Sequence, residues 1–271
     1  MKLLKKNKSI LQSFNSNFIR NIKKDSVIYG QNILAGSKVS GLCNGLNKIK
    51  NCKIFNTQNS EASLIGMGLG IMASNGRAIY IAKQLDFLLL GLDHIVNSYN
   101  SLLLQKRKGS FTMITYIVDT GNEGPQSRLN CLTDFASISK INCRYMLMSS
   151  DIKYNLDYLL NKPGLNLLCF SQKNINKKFD LVPKKLNTDY SVYQFGLKKK
   201  TIVLYGFSVY DFFEKKNISK KILNSEIFVI NNPNFSDFSA IIRSVGLTKN
   251  LEIYDLSKSK NKHAYMLETK A

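Results

Sequence analysis

Ile10, Leu11, Phe14, Phe18, Ile19 and Ile22 recur at spacings of three and four, which predicts one face of an amphipathic helix over residues 9–24. Short runs rich in β-branched and aromatic residues follow at Val27-Ile28-Tyr29, Lys53-Ile54-Phe55, Ala78 to Ile81, Met113 to Val118, Tyr145 to Met148 and Leu165 to Phe170. Each reads as a buried strand. Helix-length stretches separate several of them, notably Ser60 to Ser74, Phe87 to Leu104 and Asp151 to Asn161. This alternation predicts an α/β fold with a mostly parallel sheet and helices on its faces. From Ser171 to Lys200 periodicity lapses into a Lys- and Asn-rich stretch with Pro183, as in a linker. A second, shorter alternation then begins: strand Thr201 to Tyr205, helix Ser208 to Lys215, strand Glu226 to Ile230, helix Asp237 to Val245, strand Leu251 to Asp255. The expected organisation is a basic N-terminal helix (1–25) packed on a first α/β domain (26–175), a linker (176–199) and a small α/β domain (200–271).

Composition narrows the class. With 44% hydrophobic residues over 271 positions the chain has enough apolar surface for a large core. The longest uncharged apolar run, Phe87 to Leu92, is far shorter than the ~20 residues that cross a bilayer. No membrane span is expected. No apolar signal region follows the basic start Met1-Lys2-Leu3-Leu4-Lys5-Lys6, so a cytoplasmic location is expected. Cys43, Cys52, Cys131, Cys143 and Cys169 stand singly, without the close pairs of zinc or redox sites, and read as buried thiols. The formal charge of +21 suits nucleic acid, an acidic partner or an anionic cofactor, but lysine is spread along the whole chain. No zinc-ligand spacing or RNA-binding aromatic motif accompanies it, so nucleic-acid binding is not expected.

Chemistry concentrates between Phe55 and Asn100. Asn56-Thr57-Gln58-Asn59-Ser60 offers capping side chains after a strand, and Glu61 opens a helix carrying Gly66, Gly68, Gly70 and Ala73. An acid at a helix start can simply satisfy orphan donors and the dipole. Glycines inside a helix, however, are unfavourable by about 1 kcal/mol each against alanine, which predicts something packed closely against its backbone. They follow the helix start rather than open it, so a dinucleotide-binding loop is excluded.

Phe55-Asn56-Thr57-Gln58-Asn59-Ser60-Glu61 with Ala62 to Gly70 resembles the pyrimidine-binding motif of thiamine-diphosphate enzymes, in the β subunit of 2-oxoacid dehydrogenases (E1 β) and the C-terminal half of transketolase. Gly76 to Ile81 is similar to the strand that follows the motif. Asp86-Phe87 and Leu92-Asp93-His94-Ile95-Val96-Asn97 resemble the family's aromatic residue and Asp-Gln-Ile-Val-Asn helix. Val27 to Asn32, Val39 to Leu42 and Thr201 to Gly206 fit other family segments, and the likeness spans nearly the whole chain. It implies a parallel-sheet pyrimidine-binding domain followed by a transketolase C-terminal-like domain, shortened at its end. It implies that Glu61 hydrogen-bonds N1′ of the cofactor's aminopyrimidine and shares a proton there, so that the 4′-amino group can deprotonate thiazolium C2. It also implies that Phe87 stacks on the pyrimidine, the alternative being a core phenylalanine.

The resemblance also fixes what is lacking. The family holds Mg²⁺ and the diphosphate through Gly-Asp-Gly and a later Asn, and no Gly-Asp-Gly occurs in this chain. It therefore implies an α-like partner subunit carrying the Mg²⁺ and diphosphate site, in a heterodimer or heterotetramer, with no metal held by this chain. E1 β subunits carry acidic residues after the first strand's glycine and a histidine in the loop after the fourth strand. Here Gln31 and Asn32 fill the first place and the loop reads Gly124-Pro125-Gln126-Ser127-Arg128-Leu129-Asn130. Arg128, with Ser127, either recognises an anionic substrate or pairs with an acid of the partner chain. His94 is read as a surface or interface residue. The expected function is the pyrimidine-binding subunit of a heteromeric enzyme acting on 2-oxoacids or ketose-type donors. The alternative is a non-catalytic paralogue that assembles with or regulates such an enzyme.

Overall fold

The computed structural model describes residues 8–105, 108–119, 132–178, 181–215 and 218–255. Helix α1 (Ile10–Asn21) starts at a reciprocal cap: the Ser9 hydroxyl accepts from the Gln12 amide, and the Gln12 side chain accepts from the Ser9 amide. Ile10, Phe14 and Phe18 are buried along one face, and the Phe14 ring meets Phe18 at 4.9 Å and Phe170 at 4.8 Å.

The first sheet joins β1 (Ser26–Gly30), β2 (Lys53–Asn56), β3 (Arg77–Gln84), β4 (Ser110–Ile117), β5 (Asn142–Met146) and β6 (Gly164–Ser171). Its order is β2-β1-β3-β4-β6-β5 and every pairing is parallel. Every residue of β4 is buried, as expected of a central strand covered on both faces. Helix α2 (Glu61–Ala73) bridges β2 and β3. It packs on the segment after β3, whereas α1 packs on α5 (Ser149–Asn161). A helix α4 (Leu132–Ser139) precedes β5.

The stretch 87–104, read as one helix from its apolar content, is broken into three conformations. A 3-10 segment spans Leu85–Gly91, a π-helical turn spans His94–Ser98, and α3 covers only Tyr99–Leu103. At the first break the chain presses against α2, where a Cβ on Gly91 would lie 2.3 Å from Ile65 Cδ1.

The second sheet is mixed, in the order β11-β9-β10-β8-β7. β9 (Lys200–Tyr205), β10 (Ser225–Ile230) and β11 (Leu251–Asp255) are parallel, while β8 (Tyr190–Phe195) runs antiparallel to β10 and pairs with the short β7 (Lys185–Leu186). The aperiodic stretch after Ser171 thus contributes two strands, one of them buried at Tyr190, Ser191, Val192 and Tyr193. Helices α6 (Ser208–Phe213), α7 (Ile218–Ile222) and α8 (Ser239–Thr248) complete this unit. Among the described residues no helix is long and apolar enough to cross a membrane.

Buried polar contacts join the two sheets. The Arg144 guanidinium donates to Asp189 Oδ1 at 2.7 Å and to the Thr188 carbonyl at 2.5 Å, and the Tyr210 hydroxyl donates to the Leu147 carbonyl at 2.8 Å. The Asp151 carboxylate is fully enclosed, receiving the hydroxyls of Ser150 and Ser191 at 3.0 Å and of Tyr193 at 3.4 Å. Burial pushes its carboxyl up to about 6, against the pull of those three hydroxyls. Because the folded form then binds a proton more tightly than the unfolded chain, this group favours folding most below pH 4, and the contribution is lost as pH rises through about 6. A shift of this size corresponds to about 3 kcal/mol. Asp151→Asn is expected to abolish this fall, so that the stability difference between variant and wild type in urea titrations grows between pH 4 and 7. Parallel stability curves would remove Asp151 as its source.

Candidate functional site

In an open parallel sheet, ligands bind outside the carboxyl ends of the strands where successive connections leave in opposite directions. Here that point lies between β1, which connects outward to β2, and β3, which connects the other way to β4. Gly30 ends β1, and a Cβ there would lie 2.3 Å from the Ile81 carbonyl oxygen of β3, so only glycine allows the two strand ends to approach this closely. The Asn56 side chain at the end of β2 accepts from the amides of Ile33 and Leu34 at 2.9 and 3.0 Å, tying the loop after β1 to the loop before α2. Asn56 therefore braces a loop rather than capping the helix. Ser60, in the capping position, accepts no backbone amide of the helix, and its hydroxyl donates to Ser63 Oγ at 2.9 Å.

Glu61 is the first residue of α2 and is half-buried, which puts its carboxylate at the positive end of that helix beside the sheet's carboxyl edge. Beneath it Tyr80, Tyr29 and Phe55 stack across β3, β1 and β2, with centroids 5.4 Å and 6.1 Å apart and rings within 17° of parallel. The Tyr29 hydroxyl donates to the Leu64 carbonyl of α2 at 2.8 Å. Burial raises the Tyr80 phenol, and the charge of Glu61 raises it further, so both hydroxyls stay protonated donors beside the carboxylate's helix. Neither tyrosine was singled out from sequence. The available signal was an aromatic residue at the third position of both Val27-Ile28-Tyr29 and Ala78-Ile79-Tyr80.

The glycines of α2 divide by environment. A Cβ on Gly68 would lie 2.4 Å from Phe111 Cζ and 2.5 Å from the Tyr29 hydroxyl, so the helix backbone rests directly on the sheet there. Gly66 faces the His94 ring, with Nε2 3.4 Å from a built Cβ, and Gly70 faces open space. The predicted close approach therefore holds at Gly68, in looser form at Gly66, and not at Gly70.

Phe87 sits in the 3-10 segment that leaves β3, on the far side of the sheet's switch point from β2. Leu85, Leu88 and Gly91, at the spacing of three that a 3-10 turn brings to one side, are buried. Phe87 is off that stripe, half-buried, and not among the side chains packed on the core. His94 lies in the π-helical turn, its Nδ1 3.2 Å from Ser98 Oγ, half-buried over Gly66. Asp93 and Asn97 bond each other at 2.8 Å. Ser127 and Arg128 lie outside the described residues. Where that segment begins, Asp119 accepts from the side chains of Ser171 and Asn174 and from the Lys173 amide, a brace between β4 and β6 that sequence reasoning missed.

The structure thus brings Glu61, Phe87 and His94 to connecting segments that pack on one another at one edge of the sheet. Cys43 and Cys143 are buried and their thiols pushed up to about 12, so neither supplies a thiolate. Among the described residues no three His, Cys, Asp or Glu side chains converge as a metal site. No protein-family model matches the chain, and no curated protein matches it.

Gly68→Ala and Gly70→Ala form a matched pair. The first is expected to destabilise by roughly 1–3 kcal/mol through overpacking, and the second to stabilise by roughly 0.5–1 kcal/mol through helix propensity. Urea denaturation decides it, and equal effects would contradict the seating of α2.

Proposed function

We propose that this chain is the pyrimidine-binding subunit of a heteromeric thiamine-diphosphate enzyme acting on 2-oxoacids or ketose-type donors. The observation that carries the reading is the placement of Glu61. It is a half-buried carboxylate opening a helix at the sheet's switch point, inside the segment that resembles the family motif. The residues present fit the pyrimidine end of the cofactor. Glu61 offers a proton-sharing oxygen, and Phe87 offers a ring that the core does not use. When bound, the cofactor supplies an electron sink for cleavage of the bond next to a carbonyl.

The part of Glu61 is to accept and return a proton at a ring nitrogen, which general acid–base groups do for a factor of roughly 100–10,000. Tyr29 and Gly68 act on position alone, holding α2 against the sheet so that its first residue stays at the edge. In this reading Mg²⁺ and the diphosphate belong to an α-like partner, because the chain has no Gly-Asp-Gly. Arg128, a fixed positive charge where the E1 β family has histidine, cannot shuttle protons. The reading therefore favours an anionic donor or acceptor, with carbon–carbon bond transfer or simple decarboxylation over lipoyl acylation.

Two measurements test the proposal. The isolated chain is expected to bind thiamine diphosphate weakly and without Mg²⁺ dependence in calorimetry, and a partner carrying Gly-Asp-Gly is expected to confer tight, Mg²⁺-dependent binding. In that complex Glu61→Gln should leave folding unchanged and slow deuterium exchange at thiazolium C2 by roughly 100-fold or more. Exchange at the wild-type rate would remove Glu61 from the mechanism.

A further inference from the structure

The second sheet carries a cavity of about 400 Å³ between the β8 and β10 face and helix α8, within the roughly 300–1,000 Å³ of small-ligand sites. Its floor is apolar, with the Tyr190 and Phe228 rings 5.8 Å apart and Ala240 and Leu247 contributed by α8. Its rim is basic. Lys184 and Lys185 stand on one side, Arg243 on the other, and all three are exposed.

The charges are not equivalent. Glu226, the one carboxylate lining the cavity, is buried, with Oε1 2.5 Å from Lys198 Nζ and Oε2 accepting from Ser244 Oγ at 2.6 Å. That pair is satisfied within the fold. Lys184 contacts the neutral Gln194 side chain, and Lys185 lies over the Tyr190 ring at 5.9 Å. Among the described residues neither lysine nor Arg243 makes an ion pair. Ala240, Arg243, Ser244 and Leu247 fall at i, i+3, i+4 and i+7, so one face of α8 presents both apolar surface and cation to the same concavity.

We propose that this cavity binds a phosphorylated small molecule carrying a flat ring, of mononucleotide size. The ring lies against Tyr190, Phe228 and Leu247, and the phosphate is held between Arg243 and Lys184 with Lys185. Arginine and lysine at a cavity mouth form charge-assisted bonds to phosphate oxygens, and an aromatic floor takes the ring without demanding hydrogen bonds. The three cations border one concavity of about 400 Å³, open to solvent on one side, with a volume that matches a small ligand. The site lies wholly on the second sheet and does not rest on the reading of Glu61.

The test is calorimetric titration of the full chain with adenosine monophosphate, ribose 5-phosphate, adenosine and inorganic phosphate, with a short single-stranded RNA as competitor. Saturable binding of the nucleotide is expected, with each fragment roughly tenfold weaker or more. Arg243→Ala with Lys185→Ala should weaken nucleotide binding by roughly tenfold or more. Lys153→Ala, which removes one positive charge from α5 outside the cavity, should not change it. These side chains are exposed, and thermal melts check that the variants fold. No saturation at millimolar nucleotide, equal loss in Lys153→Ala, or inorganic phosphate binding as tightly as the nucleotide would overturn the proposal. RNA binding far tighter than the nucleotide's would reassign the surface to nucleic acid.

Discussion

The contact between α2 and the sheet governs the geometry of this molecule. At Gly68 the helix backbone comes so near Phe111 and the Tyr29 hydroxyl that no side chain fits between them. Tyr29 then closes the contact with a hydrogen bond to the Leu64 carbonyl. A helix seated at this depth carries its first residue, Glu61, to the carboxyl edge of the sheet, and leaves Ile65 to press on Gly91 and deflect the chain after β3. Glu61 and Phe87 therefore stand on two segments that pack on each other. In the proposed function the same contact sets where a proton is shared and where a ring is offered, although neither Gly68 nor Tyr29 takes part in the chemistry.

The junction of the two sheets is built on different physics. Arg144, nearly fully buried, meets Asp189 and two backbone carbonyls, so its charge is compensated on several sides. Asp151 has hydroxyl donors but no cation among its bonded partners, and burial therefore dominates its protonation. One interface thus contains a compensated charge and an uncompensated one. Burial raises the carboxyl of the second, so its protonation is expected to couple the contact between α5 and β8 to pH.

The large positive charge also gains spatial meaning. Some lysines are spent on ion pairs within the second sheet, as in Lys198 with Glu226, and Lys200 with Lys221 around Glu252. Others have no acid to meet, since the chain has 39 basic and only 18 acidic residues. Where such cations surround an aromatic-floored concavity the excess becomes a candidate recognition surface. Elsewhere it remains a solvated face.

What the sequence determined by itself was local. Spacings of three and four marked α1, and alternating apolar runs separated by helix-length stretches marked the α/β class, because both follow from the geometry of a single element. The start of α2 at Glu61 and its unusual glycine content were equally visible. Contacts distant in the chain decided the rest. The division of residues 85–104 into three helical forms, with Gly91 pressed against Ile65, is not visible in the apolar pattern, and only pairing with β10 turns the aperiodic stretch around Tyr190 into a strand. Three glycines that look alike in sequence differ because Phe111, His94 and solvent respectively stand opposite them. Periodicity records which side of an element is apolar, but it carries no information about which residue lies across the gap, and at close-packed distances that neighbour decides backbone form and side-chain role.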